Sequence, residues 1–174
     1  MQGHARKAGL VCGRRGHETD GMDSLTHSAS IVVRTSPEAL YDLVSDVTRT
    51  GEWSPVCQEC IWQDGASGAV GDRFTGRNDN GTRQWETRSE VVAAERGREF
   101  AWMVGEGWVR WGYTLEAVDG GTQLTETWEF TPAGLQRFHD RYGDEAQREI
   151  DERTRAAHEG IPVTLEAIKR IAES

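Results

Sequence analysis

The sequence lacks the long apolar runs and the basic excess that mark several large classes of protein. No apolar stretch approaches the roughly 18 residues of a membrane-spanning helix, and the N-terminal segment has no apolar core of a secretory signal peptide. Lys and Arg total 20 against 29 Asp and Glu, so the formal charge is −9. Proteins that bind nucleic acid or anionic membranes need a basic surface. We therefore expect no nucleic-acid partner and no membrane insertion.

Cysteine is scarce, and its three positions are Cys12, Cys57 and Cys60. A small, odd number of cysteines without a disulfide pattern is typical of a reduced, cytoplasmic protein. Cys57 and Cys60 fall in a predicted strand, where residues three apart point to opposite faces about 10 Å from each other. We therefore expect neither a disulfide nor a shared metal ion at this pair.

Motifs for cofactor or nucleophile chemistry are also missing. The chain contains no GxSxG elbow, no P-loop and no dinucleotide-binding fingerprint. The histidines fall in the N-terminal segment, near the first strand or in the C-terminal helical region, and none is expected on the inner face of the sheet: His4, His17, His27, His139 and His158. We expect no metal site and no cofactor.

The first 28 residues differ in composition from the rest. They are rich in Gly and Arg and show no hydrophobic period, so they cannot bury enough surface to offset the entropy of ordering. We predict a disordered tail over residues 1–28 and one domain over 29–174. Met22 precedes the first periodic segment, so translation starting there is an alternative to a genuine tail.

The remaining sequence predicts an α+β sheet curled around a helix. A strand over Ser30–Thr35 is followed by Ser36 and Pro37, a helix-start signal, and by a helix over Glu38–Ser45. A short second helix or a corner follows. Segments of period two then predict six antiparallel strands at Cys57–Gln63, Asp72–Arg77, Arg83–Glu95, Glu99–Val104, Trp108–Val118 and Thr122–Phe130. A long helical region begins at Pro132, and we expect Gly143 and the Gly160–Pro162 step to kink or break it.

Hairpin turns predict how the later strands pair. Two-residue turns at Arg96-Gly97, Glu106-Gly107 and Asp119-Gly120 are consistent with one another. They predict two rows on one face, Val91–Trp102–Trp111–Trp128 and Ala93–Phe100–Tyr113–Glu126, with Arg110 opposite Glu129 and Thr114 opposite Thr125 on the other face. The inner face is therefore aromatic and contains one carboxylate.

The inner face has two interpretations. Its rings either fill a core between sheet and helix, or line a mostly apolar cavity with a few polar groups. In the second interpretation, the ligand-binding residues are Trp85, Thr87, Ser89, Val91, Phe100, Trp102, Trp111, Tyr113, Glu126 and Trp128. Burial among Trp rings would raise the pKa of Glu126, so Glu126 and Tyr113 are candidate acid–base residues. The alternative is a structural hydrogen bond between them, or an ion pair of Glu126 with an arginine.

Several segments resemble the SRPBCC (START-like, helix-grip) superfamily, and most closely its bacterial polyketide cyclase/dehydrase-like branch. The resemblance covers roughly Ser30 to Glu173 and is carried by Ser36–Asp46, Trp53–Pro55, Gly71–Gly76, Trp111–Tyr113, Gly120–Trp128 and Thr164–Lys169. It implies a seven-stranded antiparallel sheet gripping a C-terminal helix over a deep hydrophobic cavity. Members bind lipids, polyketides, hormones or quinones, and some catalyse cyclisation or dehydration. No catalytic signature transfers residue by residue.

Three functions are consistent with these observations. The first is binding of a small hydrophobic ligand, whether aromatic, polyketide-like or lipid-like, by a monomer or homodimer, with access between the C-terminal helix and the strand ends. The second is a polyketide cyclase or dehydratase that uses Glu126 and Tyr113. The third is a protein-interaction module similar to the chaperone-activating members of the superfamily, which would have a fully packed interior.

Overall fold

A computed structural model describes residues 22–174, in which seven strands form one antiparallel sheet of order β1-β7-β6-β5-β4-β3-β2. The strands are β1 Leu25–Val33, β2 Cys57–Trp62, β3 Arg73–Asp79, β4 Gln84–Glu95, β5 Glu99–Val104, β6 Val109–Val118 and β7 Gly121–Phe130. Helix α1 (Pro37–Val44) and a 3-10 helix (Val47–Glu52) join β1 to β2, and helices α2 (Pro132–Tyr142) and α3 (Ala146–Ala172) follow β7. The predicted α+β helix-grip fold is confirmed.

The same capping device starts α1 and α2. The Ser36 hydroxyl accepts a hydrogen bond from the Ala39 amide at 3.2 Å, and the Thr131 hydroxyl accepts one from the Gly134 amide at 3.0 Å. In each case a proline occupies the first turn. Because proline has no amide hydrogen to satisfy there, the combination sets the helix start from sequence alone.

The first strand is longer than the sequence predicts. It begins at Leu25 instead of Ser30, because it pairs with β7 along its whole length, from Leu25 opposite Phe130 to Val33 opposite Thr122. Residues 1–21 lie outside the described part of the chain, and with them most of the predicted tail.

The C-terminal helical region breaks once. Gly143 ends α2 with φ +52°, a conformation that favours glycine, and a short 3-10 turn leads into α3. The Gly160–Pro162 step does not break the helix, because α3 continues through it. Ile161, Leu165 and Ile168 are buried around this step, and burial of each is worth roughly 1.5–3 kcal/mol, against a cost of about 3 kcal/mol for proline inside a helix.

The predicted strand pairing is correct over most of the meander. Trp102 lies opposite Trp111, and Tyr113 lies opposite Glu126. Arg110 lies opposite Glu129 as expected, although its guanidinium contacts Glu99 at 2.6 Å. The pairing of Ala93 with Phe100 is wrong. A bulge after Val91 places Ala94 opposite Phe100 instead, because a bulge adds one residue to a strand and reverses the faces of the residues beyond it.

The core lies on the concave face of the sheet. Helix α3 packs mainly on β1 and β7, while α1 contacts β5, β6 and β7. The β2–β3–β4 half of the concave face therefore extends beyond the part that α3 covers. Within residues 22–174, no helix is long and apolar enough to cross a membrane.

Two helical glycines provide a matched test of this packing. A methyl group added at Gly134 would collide with the Trp108 carbonyl oxygen and lie 2.8 Å from the Phe130 ring, whereas one added at Gly160 would meet Pro55 at an ordinary 3.6 Å. We expect Gly134→Ala to lower the free energy of unfolding by about 1–3 kcal/mol, and Gly160→Ala to leave it unchanged or raise it by up to about 1 kcal/mol. Urea denaturation measures both values. Equal effects of the two substitutions would contradict this packing of α2.

Candidate functional site

The concave face brings most of the predicted ligand-binding residues together. One row across the sheet joins Val91, Trp102, Trp111 and Trp128, and the next joins Phe100, Tyr113 and Glu126. Trp102 and Trp111 are half-buried, in contrast to the buried Trp128. The two rows therefore form an apolar surface with a carboxyl group in its second row.

The aromatic side chains of this face contact one another edge to face or tilted. One series runs from Trp62 through Phe74 and Trp102 to Tyr113, with ring centroids 5.4, 6.2 and 5.8 Å apart. Another series begins on the sheet and continues onto α2, and it consists of Trp111, Trp128, Phe130, Phe138 and Tyr142. Each such contact adds about 0.5–1.5 kcal/mol of stability beyond the burial of apolar area. The rings therefore hold one another in place on the concave face.

Trp85, Thr87 and Ser89 lie on the same face but farther along β4. Ser89 is buried opposite Phe74 and Val104. Trp85 and Thr87 are half-buried and lie beyond the part of β4 that pairs with β5, next to β3 alone. Because strand pairing carries them away from the Tyr113–Glu126 row, they belong to the outer end of the concave face.

Glu126 is an unusual carboxyl group because it is buried without a charge partner. Its side chain is 4% exposed, and its Oε2 atom has no hydrogen-bond partner. By contrast, the buried Glu149 contacts Arg148 and Arg153, each at 3.0 Å. Burial raises the pKa of Glu126 well above its ordinary value, since an ionised carboxylate is poorly solvated there. The structure therefore favours a protonated Glu126.

Trp53 is the functional candidate that the sequence analysis did not single out. It follows the 3-10 helix, is 3% exposed, and its indole Nε1 has no hydrogen-bond acceptor. Glu126 Oε2 and Trp53 Nε1 are the unpartnered buried side-chain atoms of residues 22–174. Leaving such an atom unpaired costs about 1–3 kcal/mol. The sequence did point to this residue, because Trp53-Ser54-Pro55 is one of the segments that carry the family resemblance, but the resemblance gave Trp53 no role.

Tyr113 links these two groups. Its pKa is raised well above the ordinary value, mainly by burial and then by the nearby Glu126, and the neighbouring Trp53 indole N–H partly offsets this rise. Trp53 is therefore close to the Tyr113 hydroxyl without hydrogen-bond geometry. Glu126, Tyr113 and Trp53 together form a buried polar cluster in an aromatic surface, which we call the polar cluster.

The expected placement of the two cysteines on opposite faces, about 10 Å apart, is wrong, although both are free thiols. Their Sγ atoms are 3.4 Å apart, and both side chains are buried. The reason is a register shift between Cys57 and Glu59 in β2. It adds a residue between the cysteines, so positions three apart share a face instead of alternating.

The expectation that no histidine lies on the concave face is also wrong. His27 lies opposite Trp128, because β1 begins five residues earlier than predicted. Its ring stacks on His158 of α3 with a centroid distance of 3.7 Å, and burial together with His158 lowers the pKa of His27. The pair is a contact between the sheet and α3.

No metal-binding cluster of three or more His, Cys, Asp or Glu side chains occurs in the described part of the chain. Two depressions are lined mainly by outward-facing polar residues. One, of about 480 Å³, lies on β1, β6 and β7. The other, of about 420 Å³, lies on β4, β5, β6 and β7. The predicted cavity between sheet and α3 is distinct from both of them, and it stays a prediction.

The pKa of Glu126 gives a test by pH. Because this pKa is raised in the folded state, the folded protein holds the proton more tightly than the unfolded chain, whose pKa is near 4.5. Stability from this group is present below about pH 4.5 and is lost as pH rises through the folded pKa. We expect Glu126→Gln to be increasingly more stable than the natural protein as pH rises above 4.5.

Urea denaturation between pH 4 and 8 measures this difference in unfolding free energy, with Glu116→Gln on the exposed face of β6 as control. A difference that stays constant across this range would contradict a protonated, buried Glu126.

Comparisons with known proteins agree with this architecture. Residues 24–155 match the sequence model of the family described as polyketide cyclase / dehydrase and lipid transport. The solution structure of the Polyketide_cyc-like protein Cgl2372 from Corynebacterium glutamicum is 52% identical, with a TM-score of 0.65 over 87% of this chain and 93% of that one. No curated protein matches the chain.

More distant structures share the fold alone. The di-domain ARO/CYC StfQ from the steffimycin biosynthetic pathway is 13% identical, with a TM-score of 0.66 over 86% of this chain and 51% of that protein. Major latex-like protein 151 from Panax ginseng is 13% identical, with a TM-score of 0.53 over 62% of this chain and 79% of that one. By its match over most of the described residues and its 52% identical relative, the chain belongs to the polyketide cyclase/dehydrase and lipid transport family of the SRPBCC superfamily.

Proposed function

We propose that this protein binds a small, hydrophobic and partly aromatic ligand between the concave face of the sheet and α3. The ligand carries at least one polar group, which meets the polar cluster. The observation that carries the proposal is the pair of buried, unpartnered atoms, Glu126 Oε2 and Trp53 Nε1, within an aromatic surface. Family membership supports it, since the family description includes polyketide cyclases and lipid transport.

The two unpartnered atoms have complementary chemistry. A neutral carboxyl group can donate one hydrogen bond and accept others, whereas an indole N–H can donate alone. A ligand hydroxyl or enol could pair with Glu126 and accept from Trp53. The ligand would then recover part of the cost of two unpaired buried atoms, which favours a polar ligand over an isosteric hydrocarbon.

The surrounding rings supply the affinity. Trp102, Trp111 and Trp128 form the row next to the one that contains Tyr113 and Glu126, and the first two are half-buried. Val91, Phe100 and Ser89 complete the proposed inner site, while Trp85 and Thr87 would contact the outer end of a long ligand. Gly143, which separates α2 from α3, is the proposed hinge for access. We further propose that binding takes place in the cytoplasm, in a monomer or homodimer.

A pair of isosteric probes tests the role of the polar cluster. We expect 2-naphthol to bind more tightly than 2-methylnaphthalene, because its hydroxyl pairs with Glu126 and its rings pack on the tryptophans. Glu126→Leu should reduce this preference about tenfold, the size of one buried hydrogen bond, while Glu116→Leu on the exposed face should leave it unchanged. Equilibrium dialysis measures both affinities for each variant.

The probe outcomes separate the candidate functions. An unchanged preference in Glu126→Leu would place the polar group elsewhere. Binding of neither probe to the natural protein would contradict an accessible site and favour the interaction module with a fully packed interior.

A second candidate function is that of a cyclase or dehydratase. It is favoured by a buried carboxyl group of raised pKa beside the Tyr113 hydroxyl, since such pairs perform proton transfer near neutral pH. In a dehydration, Tyr113 would donate a hydrogen bond to a ligand carbonyl. Protonated Glu126 would give its proton to the hydroxyl, which leaves as water, and its carboxylate would take the proton from the carbon beside the carbonyl as the C=C bond forms, so that Glu126 ends protonated again.

A simple β-hydroxyketone tests this candidate. If the protein is a dehydratase, it should convert 4-hydroxy-4-phenylbutan-2-one into benzylideneacetone and water, measured by the absorbance of the conjugated product. Glu126→Gln should lower kcat/KM by about 10²–10⁴, and Glu116→Gln should not. Equal turnover by the natural protein and Glu126→Gln would remove Glu126 as the acid–base residue.

A further inference from the structure

We propose that Cys57 and Cys60 form a reversible redox couple, a buried dithiol that a hydroperoxide oxidises to an intramolecular disulfide. The couple lies in β2, at the edge of the sheet. It is independent of the proposed ligand.

The geometry brings the two thiols together before any oxidation. Their Sγ atoms are 3.4 Å apart, and a disulfide bond needs about 2.05 Å, so they must approach by only about 1.4 Å. The register shift at Cys57/Glu59 is what places both on the concave face. The residue opposite Cys60 is Gly76, which has no side chain to crowd the sulfur. A methyl group added at Gly76 would lie 3.6 Å from Cys60 Sγ.

The two thiols have different roles because they share a hydrogen bond. The hydrogen bond shared by the two sulfurs lowers the pKa of Cys57 and raises that of Cys60, whose burial raises it further. Cys57 is therefore the thiol that loses its proton first and attacks the oxidant. Cys60 keeps its proton until the second step and is the resolving residue.

The chemistry balances with a hydroperoxide as oxidant. The Cys57 thiolate attacks the terminal peroxide oxygen, so an S–O bond forms, the O–O bond breaks, and the departing alkoxide takes a proton to become an alcohol. Cys60 then attacks the sulfenic sulfur, so an S–S bond forms and the hydroxyl leaves as water with the Cys60 proton. Two thiols lose two electrons, and one hydroperoxide becomes alcohol and water.

The position of β2 explains how a small oxidant reaches a buried pair. Cys57 and Cys60 are 7% and 6% exposed. However, β2 is the last strand in the sheet order and pairs with β3 alone among the strands, while the short 3-10 helix Val47–Glu52 packs against it. Edge strands open locally at a lower free energy than central strands, so a small peroxide can enter there more readily than a large alkylating reagent.

The pair also lies near the polar cluster. The two thiols act electrostatically on Tyr113, whose pKa they raise. The curl of the sheet therefore places the dithiol within electrostatic range of the Tyr113 hydroxyl.

Peptide mapping of the full-length protein tests the proposal. Trypsin releases Thr50–Arg73, which contains both cysteines and no internal Lys or Arg. In a Cys12→Ser background, the protein is treated with tert-butyl hydroperoxide, quenched in acid, denatured and alkylated with iodoacetamide. We expect this peptide to lose both alkylation sites and two hydrogen masses, and dithiothreitol before alkylation to restore both sites.

Single substitutions test the two roles. Cys60→Ser should leave a sulfenic acid on Cys57 that dimedone traps, and Cys57→Ser should react at least tenfold more slowly at Cys60. Full alkylation of both cysteines after oxidation of the natural chain would overturn the proposal. Disulfide formation that occurs only in urea would also overturn it, because the folded geometry would then not be its cause. A faster reaction of Cys57→Ser than of Cys60→Ser would overturn the assigned roles.

Discussion

The alternation of side chains along antiparallel strands is the constraint on which this structure depends. Because each strand places every second residue on the concave face, the register of five hairpins decides which side chains of β2 to β7 meet on that face. Val91, Trp102, Trp111 and Trp128 form one row through this rule, and Tyr113 and Glu126 lie in the next. A shift of one residue in any strand would carry its aromatic side chains to solvent.

This constraint also explains why an unpaired carboxyl group can persist in the interior. Glu126 takes its place because the rows around it are fixed by strong aromatic contacts, and its neighbours on the same strand, Leu124 and Trp128, are buried. Burial without an arginine leaves the protonated state as the stable one. Natural proteins accept such a cost where the site has a use for it. In this protein Tyr113 lies beside Glu126 in the same row, and Trp53, which follows the 3-10 helix, is close to Tyr113.

Bulges are the second theme of the sheet. The bulge in β4 exchanges Ala93 for Ala94 opposite Phe100, and the shift in β2 brings Cys57 and Cys60 to one face. Each one adds a residue to one strand and reverses the facing of the residues beyond it. In β4 the inserted residue only changes which alanine packs opposite Phe100. In β2 it places two thiols next to each other.

The sequence by itself determined the order of elements, the helix starts, the strand pairing of β5, β6 and β7, and the aromatic inner face with Glu126 in it. These features result from local rules, namely capping side chains, turn residues and a period of two, which act over a few positions. Only the tertiary structure decided four other features: the bulges, the early start of β1 with His27 stacked on His158, the passage of α3 through Pro162, and the position of Trp53 beside Tyr113. Each of these depends on contacts between segments far apart in the chain, where the burial of apolar surface outweighs a local preference. A local sequence pattern does not show which of these two contributions is larger, because it does not show which distant segments come into contact.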